Sequence, residues 1–269
     1  AYPNIFNDQT IGSAAKNLYK DANNLLDEII KGNLLNARGV IGFWPANSDL
    51  DDIILFNDDK RNSKLAVFHT IRQQTWHSTD RPNYALADFI APISEKKIIS
   101  DYIGGFALTC GHGENELSER FRENSDDYNS IMTKALADRL AEAFAERMHE
   151  RVRKEFWGYS PKEEFDNDDL IREKYVGIRP AHGYPAQPDH TEKLTLFDLL
   201  DAERIVGASL TESMAMSPGS SVSGLYFAHP NSRYFGVGSI GKDQIVQYAQ
   251  RKGKSVQEVE KWLGPWLAY

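Results

Sequence analysis

One short stretch combines a cation with an unusually stiff backbone: residues 179–193, RPAHGYPAQPDHTEK. Its three prolines fix φ and remove backbone donors, and Gly183 allows a turn that other residues resist. A loop of this kind has few conformations to lose when a ligand binds. The guanidinium of Arg179, at the head of the loop, could hold a carboxylate with two parallel hydrogen bonds. The alternative interpretation is a rigid surface connection with a solvated arginine.

Other patterns associated with binding or catalysis are incomplete. Residues 111–116, GHGENE, lack the third glycine of a dinucleotide-binding turn, so we expect a loop there. In residues 219–224, GSSVSG, Ser223 stands where a nucleophile elbow has its closing glycine. A zinc-protease helix has a second histidine four residues after the first, and His149-Glu150 is not followed by one. With seven scattered histidines and one cysteine, we predict no metal site, and no catalytic residue is assigned.

Composition narrows the class of protein. The 269 residues are 41% apolar and 26% charged, as in a globular protein with a sizeable core. A formal charge of −8 offers no basic field to a phosphate backbone, so we expect no nucleic-acid partner. Cys110 is the only cysteine, which excludes an internal disulfide and fits a reducing cytoplasm. No apolar run approaches the ~20 residues of a membrane span, and no signal peptide is visible, so no membrane partner is expected.

Short elements must position the loop. Apolar residues recur at helical spacing over residues 12–31, which predicts a helix that ends at Gly32. Residues 38–44, 53–56 and 65–69 are rich in Val, Ile and Phe and are separated by turn-forming clusters, as in strands joined by hairpin-like turns. In the apolar run 102–109, two adjacent glycines indicate a buried strand with a bulge or a close backbone approach.

The longest helix is predicted over residues 126–156, with Ser125 as its N-cap. Its buried stripe is expected at Leu136, Leu140, Phe144, Met148, Val152 and Phe156. Further helices are predicted near 168–174, 195–200, 242–252 and 256–263, and strands near 224–228 and 234–240. Because strands cluster without regular strand–helix alternation, we predict an α+β fold: a single domain over residues 1–269 with a largely antiparallel sheet flanked by helices.

The loop and several other segments resemble one known family. Residues 179–193 are similar to the signature Arg-Pro-Ala-x-Gly-Tyr-Pro-Ala-x-Pro-x-His-Thr-Glu-Lys of the S-adenosylmethionine-binding reactivation domain of cobalamin-dependent methionine synthase. Matching segments follow the family's order at 38–42, 86–89, 126–159, 211–213, 222–224, 229–230, 251–253 and 259–263. The resemblance therefore covers essentially the whole chain.

The resemblance implies a module of a larger enzyme and not a complete catalyst. Such a module binds S-adenosylmethionine and presents its methyl group to cob(II)alamin for reductive methylation. This step reactivates the methyltransferase that makes methionine from homocysteine. The implied partners are the enzyme's cobalamin-binding domain, which holds most of the cobalamin, and a flavodoxin-like or other flavoprotein reductant. The alternatives are a free-standing S-adenosylmethionine binder and a protein-docking module.

The resemblance also assigns residues to the site. Arg179 matches the contact to the ligand carboxylate, and Ala181 and Gly183 match backbone positions against the ligand. Tyr234 and Phe235 match an aromatic pair beside the nucleoside. Glu142 and Glu173 match two acids that line the site, and Tyr184 and His190 match two residues on the side of the loop that faces the cobalamin.

Ordinary structural roles are open for several of these residues. Glu142 lies opposite the predicted buried stripe, and both acids can be solvated surface groups. Tyr234 and Phe235 are neighbours in a predicted strand, so one of them is expected to face the core. His190 can simply support the loop. Phe235 stands where the family often has a second tyrosine, and the family's N-terminal arm, with its acidic ligand contact, has no counterpart in the sequence.

Overall fold

The computed structural model of the chain describes residues 2–76, 80–94 and 99–269. Its helices are α1 (Gly12–Gly32), α2 (Glu114–Glu123), α3 (Asp127–Arg151), α4 (Asn167–Ile171), α5 (Glu192–Leu200), α6 (Ala202–Val206), α7 (Lys242–Lys252) and α8 (Val256–Leu263). Its strands are β1 (Asn36–Asp49), β2 (Asp52–Phe56), β3 (Lys64–His69), β4 (Asp101–His112), β5 (Ser209–Leu210), β6 (Met216–Ser217) and β7 (Ser221–Tyr226). Short 3-10 turns lie at Asn4–Asn7, Leu86–Phe89 and Gly264–Trp266.

Within the described residues, five strands form an antiparallel sheet in the order β3-β2-β1-β4-β7, and β5 and β6 form a separate pair. The long central pair, β1 and β4, runs from Arg38 opposite Thr109 to Ala46 opposite Asp101. Helices α5 and α6 pack on one face of this sheet and α3 packs on the other. The predicted α+β fold with a largely antiparallel sheet flanked by helices is confirmed.

The two glycines of β4 mark a close approach. A Cβ atom at Gly105 would lie 2.7 Å from Cδ1 of Leu196 on α5, and one at Gly104 would lie 3.0 Å from Cβ of Tyr226 on β7. The irregularity in the β1–β4 pairing lies elsewhere, between Asn36 and Arg38. The glycines therefore let α5 and the neighbouring strand pack directly against β4, as the second of the two sequence interpretations predicted.

Helix α3 begins one residue later than predicted. Its N-cap is Asp126, whose side chain accepts a hydrogen bond from the backbone N–H of Asn129, and the prediction of Ser125 was wrong. Ser125 has φ of +59° and lies in the turn before the cap. An aspartate caps a helix as well as a serine does, so both residues fitted the sequence pattern.

The buried stripe of α3 is also displaced by one residue. The fully buried line is Ala137, Ala141, Ala145 and His149. The predicted Leu136, Leu140, Phe144 and Met148 are only half-buried, on the flank of the helix. A π-helical turn at Val152–Phe156 extends α3. Val152 is buried as predicted and Arg153 continues the line of His149, whereas Phe156 is 46% exposed. Small side chains face the sheet because they allow the helix axis to approach it closely.

Residues 234–240 form no strand, and that prediction was wrong. The backbone N–H of Val237 donates to the carbonyl of Pro185 over 2.8 Å, so this segment follows the 179–193 loop and not the sheet. Val237 and Ile240 are buried in a smaller core with α7 and α8. The apolar pattern indicated burial correctly, but helices provide that burial.

The edge of the sheet holds the loop. The backbone N–H of Leu225 on β7 donates to the carbonyl of Pro180 over 3.0 Å, and Ile178 pairs with Phe227 just beyond the strand. Arg179 therefore leaves the sheet edge at a fixed point. Among the described residues, no helix is long and apolar enough to cross a membrane. The same ranges contain no group of three or more His, Cys, Asp or Glu residues that could hold a metal ion.

Candidate functional site

A cavity of about 520 Å³ opens where the edge of β7, the 179–193 loop and α3 meet. Its volume is in the range of small-molecule sites, roughly 300–1,000 Å³. Its walls come from five separate parts of the chain. Strand β4 contributes Phe106, helix α3 contributes Glu142, and the 179–193 loop contributes Arg179, Pro180, Ala181, His182, Tyr184, Pro185, Ala186 and Lys193. The remaining wall residues are Met216, Ser221, Val222 and Ser223 in one part, and Tyr234 and Phe235 in the other. Apolar and aromatic walls with a few polar groups are typical of a site for an organic ligand.

Arg179 is held at the cavity wall by three side chains. Its Nη2 donates to Oε2 of Glu146 over 2.7 Å, and its Nη1 donates to the Tyr175 hydroxyl over 2.9 Å. The second Nη1 contact is to Nδ1 of His149, at 3.2 Å. A guanidinium has five N–H donors. Among the described residues, the N–H of Nε and one N–H of Nη2 have no acceptor, so these two nitrogens each keep one free donor.

His149 is a neutral acceptor in this arrangement. Burial, with the positive charges of Arg153 and Arg179, holds its pKa well below the ordinary value. Arginine can only donate, so Nδ1 of His149 accepts and Nε2 carries the proton. The ring stacks on Tyr226 at 5.2 Å between centroids. A protonated His149 could not accept from Arg179.

Tyr175 is itself fixed from the other side. The guanidinium carbon of Arg153 lies 3.9 Å from the centre of the Tyr175 ring. Arg153 is fully buried and forms a two-pronged ion pair with Glu163, at 2.7 and 2.8 Å. Burial raises the pKa of the Tyr175 hydroxyl to about 12, so it remains protonated and neutral beside Arg179.

The two predicted aromatic residues both line the cavity. The hydroxyl of Tyr234 accepts a hydrogen bond from the backbone N–H of Arg179 over 3.0 Å, and burial raises its pKa. Phe235 also packs against Tyr84 and Phe89, with ring centroids 6.0 and 6.3 Å apart. Tyr234 is 41% exposed, whereas Phe235 is half-buried against the core. The expectation that one of the pair faces the core is therefore met by Phe235.

Gly183 and His190 are not among the residues that line the cavity, and they pack against each other within the loop. Gly183 has φ of +89°, and a Cβ atom there would lie 2.0 Å from Cε1 of His190. The His190 ring therefore packs against the glycine, and its Nδ1 lies 3.1 Å from Nζ of Lys193. Burial, and then the charge of Lys193, lowers the pKa of His190. The loop closes on itself through the backbone N–H of Gly183, which donates to the carbonyl of Gln187 over 2.7 Å.

The other predicted residues divide between the cavity and the surface. Glu142 is exposed on α3 and lines the cavity, and among the described residues its carboxylate has no hydrogen-bond or ion-pair partner. Ala181 lines the cavity, and Tyr184 stands at its rim, 61% exposed. Glu173 is exposed beyond α4, with φ of +52°, and is not part of the cavity wall.

Several wall residues escaped prediction from the sequence. Phe106 on β4 and Ser223 on β7 look like ordinary strand residues, and nothing in their local sequence identifies a wall. The Ser223 hydroxyl is buried and has no partner among the described residues. His182 also lines the cavity. It is 1% exposed, stacks on Phe68, and has a pKa that burial lowers to about 3.

Comparison with known proteins places the chain in a family. The family model described as "Vitamin B12 dependent methionine synthase, activation domain" matches residues 1–253. A crystal structure of the MetH reactivation domain bound to AdoHcy is 54% identical and superimposes with a TM-score of 0.95. That match covers 100% of this chain and 82% of the other. The chain is thus a member of the activation-domain family of vitamin B12-dependent methionine synthases, and it is a module of such an enzyme.

Proposed function

We propose that the cavity binds S-adenosylmethionine and presents its methyl group for the reductive methylation of cob(II)alamin. The observation that carries this proposal is the pair of unused Arg179 donors at the wall of a largely apolar cavity. The structure that is 54% identical was solved with AdoHcy. AdoHcy is what remains of S-adenosylmethionine after methyl transfer, so the two share the adenosine, the carboxylate and the ammonium.

We assign the ends of the ligand by charge. Arg179 binds the carboxylate through its two free N–H groups, which is the pairing a guanidinium makes best. Glu142, the unpaired carboxylate in the wall, faces the ammonium and the sulfonium. Glu173 lies outside the wall and adds only negative potential. In the intact enzyme, an acidic residue on the family's N-terminal arm would add a second acceptor for the ammonium.

The nucleoside lies against the aromatic side of the cavity. Tyr234 and Phe235 provide ring faces for the adenine, and the backbone at Ala181 forms another part of the wall. Tyr184, exposed at the rim, faces the cobalamin. Gly183 and His190 keep the loop in place behind these contacts.

The chain acts by holding the methyl group in line and excluding water. A fixed orientation of this kind can lower a barrier by several kcal/mol, within the roughly 7–11 kcal/mol available from positioning. Cobalamin, bound mainly by another domain, supplies the cobalt centre that accepts the methyl group, and a flavoprotein supplies the electron. We therefore expect a cytoplasmic 5-methyltetrahydrofolate–homocysteine methyltransferase to contain this module. By itself the module forms no methionine.

Calorimetry with S-adenosylmethionine on wild type and Arg179→Ala tests the proposal. Losing a charge-assisted pair is expected to cost roughly 1.5–3 kcal/mol, which is about ten- to a hundredfold in affinity. Arg172→Ala, at an exposed arginine beyond α4, is the control and is expected to bind like wild type. Unchanged binding by Arg179→Ala would remove Arg179 from the site, and no binding by wild type would refute the proposed function itself.

A further inference from the structure

Glu146 differs from the other acids of α3. It lies one turn after Glu142 but does not line the cavity. Its Oε2 accepts from Nη2 of Arg179 over 2.7 Å, with the two side chains only 27% and 18% exposed. Its Oε1 is buried and has no partner among the described residues. The carboxylate is therefore committed to a single cation, whereas Glu150, one turn further on and 21% exposed, contacts two cations, the side chains of Arg147 and Lys154.

The contact determines which donors of Arg179 remain free. Tyr175 and His149 together occupy both N–H groups of Nη1, and Glu146 occupies one of the two on Nη2. Because the guanidinium is planar, contacts at two of its nitrogens fix both the plane and its rotation. The unoccupied donors then belong to Nε and Nη2, adjacent nitrogens that can contact both oxygens of one carboxylate.

We infer that Glu146 is a positioning residue for ligand binding, which orients the Arg179 guanidinium toward the ligand carboxylate without touching the ligand. This inference rests on the proposed function and specifies how one end of the ligand is recognised. Tyr175 and His149 contact only Nη1, so without Glu146 the group can tilt about that nitrogen.

The charge of Glu146 works in the opposite direction. A carboxylate beside Arg179 reduces the positive potential that a ligand carboxylate meets. Orientation and charge can be separated by two substitutions. Glu146→Gln keeps the length and an oxygen acceptor but removes the charge, whereas Glu146→Asp keeps the charge and withdraws it by one methylene.

The experiment measures binding of S-adenosylmethionine and of 5′-methylthioadenosine, which lacks the amino acid end, to the full chain. For Glu146→Asp we expect S-adenosylmethionine to bind about tenfold more weakly, which is the effect of losing one hydrogen bond between Arg179 and the ligand carboxylate. Its affinity for 5′-methylthioadenosine should be unchanged. For Glu146→Gln we expect S-adenosylmethionine to bind as tightly as to wild type, or more tightly.

Glu150→Asp, on the same helix, is the control for the lower helix propensity of aspartate, and thermal unfolding checks each variant. The inference is overturned if Glu146→Asp binds S-adenosylmethionine like wild type, or if Glu146→Gln is the weaker variant. An equal loss of affinity for both ligands would also overturn it, because the substitution would then have changed the cavity as a whole and not the orientation of the Arg179 guanidinium. Failure of wild type to bind S-adenosylmethionine would instead refute the proposed function.

Discussion

At the scale of single residues, Gly183 is the position where the loop tolerates least change. Its φ of +89° strains any other L residue, and a Cβ atom would overlap the His190 ring. Such strain costs of order 1–3 kcal/mol. We expect Gly183→Ala to lower the free energy of unfolding by about that amount and to weaken ligand binding, as measured by urea unfolding and calorimetry.

Gly219→Ala is the matched control for this substitution. A Cβ atom at Gly219 would meet nothing within 4 Å, and its φ is not positive. The control is expected to leave both unfolding and binding unchanged. Equal stability of the two alanine variants would show that the loop can move away from His190 at no cost.

The sequence identified several of the wall residues but not Phe106, His182 or Lys193. Arg179, Tyr234 and Glu142 were found because the resemblance fixes residue types at fixed spacing. The partners of Arg179 were not found. Glu146 and Tyr175 reach it from α3 and from the segment after α4, and nothing in the local sequence shows that these segments converge.

At the scale of elements, the alanine line of α3 controls how closely the helix approaches the sheet. Ala145 is 1% exposed in a cluster with Phe106 and Leu108. A leucine there would overfill the interface, and overpacking typically costs about 1–3 kcal/mol. We expect Ala145→Leu to destabilise the protein by that amount in urea unfolding.

Ala143→Leu controls for this change. Ala143 is exposed on the same helix, so the two substitutions have equal helix propensity and differ only in burial. It is expected to change stability by less than about 0.5 kcal/mol. A similar loss in both variants would show that helix α3 does not pack tightly on the sheet.

Elements with clear end signals were predicted best. Helices α7 and α8 match their predicted limits, since Gly253 ends one and Ser255 caps the other. The register of α3 could not be predicted, because leucine and phenylalanine on its flank outweigh alanine in any apolar pattern. The segment 234–240 was predicted as a strand, and its sequence does not show what covers its apolar residues.

At the scale of the whole molecule, buried neutral histidines make the fold sensitive to acid. Burial lowers the pKa of His182 from 6.5 to about 3. Between these values the unfolded chain binds a proton that the folded protein does not. Stability is therefore fully present above the unfolded pKa and falls as the pH decreases, by up to about 1.4 kcal/mol per pH unit for each such histidine.

His182→Leu isolates this contribution, because neither ring nitrogen of His182 has a partner among the described residues. We expect the variant to lose stability less steeply than wild type in urea unfolding between about pH 6 and 4, by about 1.4 kcal/mol per unit. Near pH 7.5 the histidine is neutral in both the folded and the unfolded state, so the difference in the free energy of unfolding between the two proteins there reflects packing alone. Parallel pH profiles would show that His182 is protonated in the folded protein.

The position of the cavity at the edge of β7 also bears on how the protein avoids aggregation. An outer strand with free backbone groups can pair with a strand of another chain. Along β7, the segment around Ile178 and Pro180 covers one end of this edge. The other end, at Val222 and Ser223, borders the cavity. A small ligand can enter there, but an extended polypeptide would have to displace the loop and α3, so the walls of the cavity also shield this edge of the sheet from pairing with another chain.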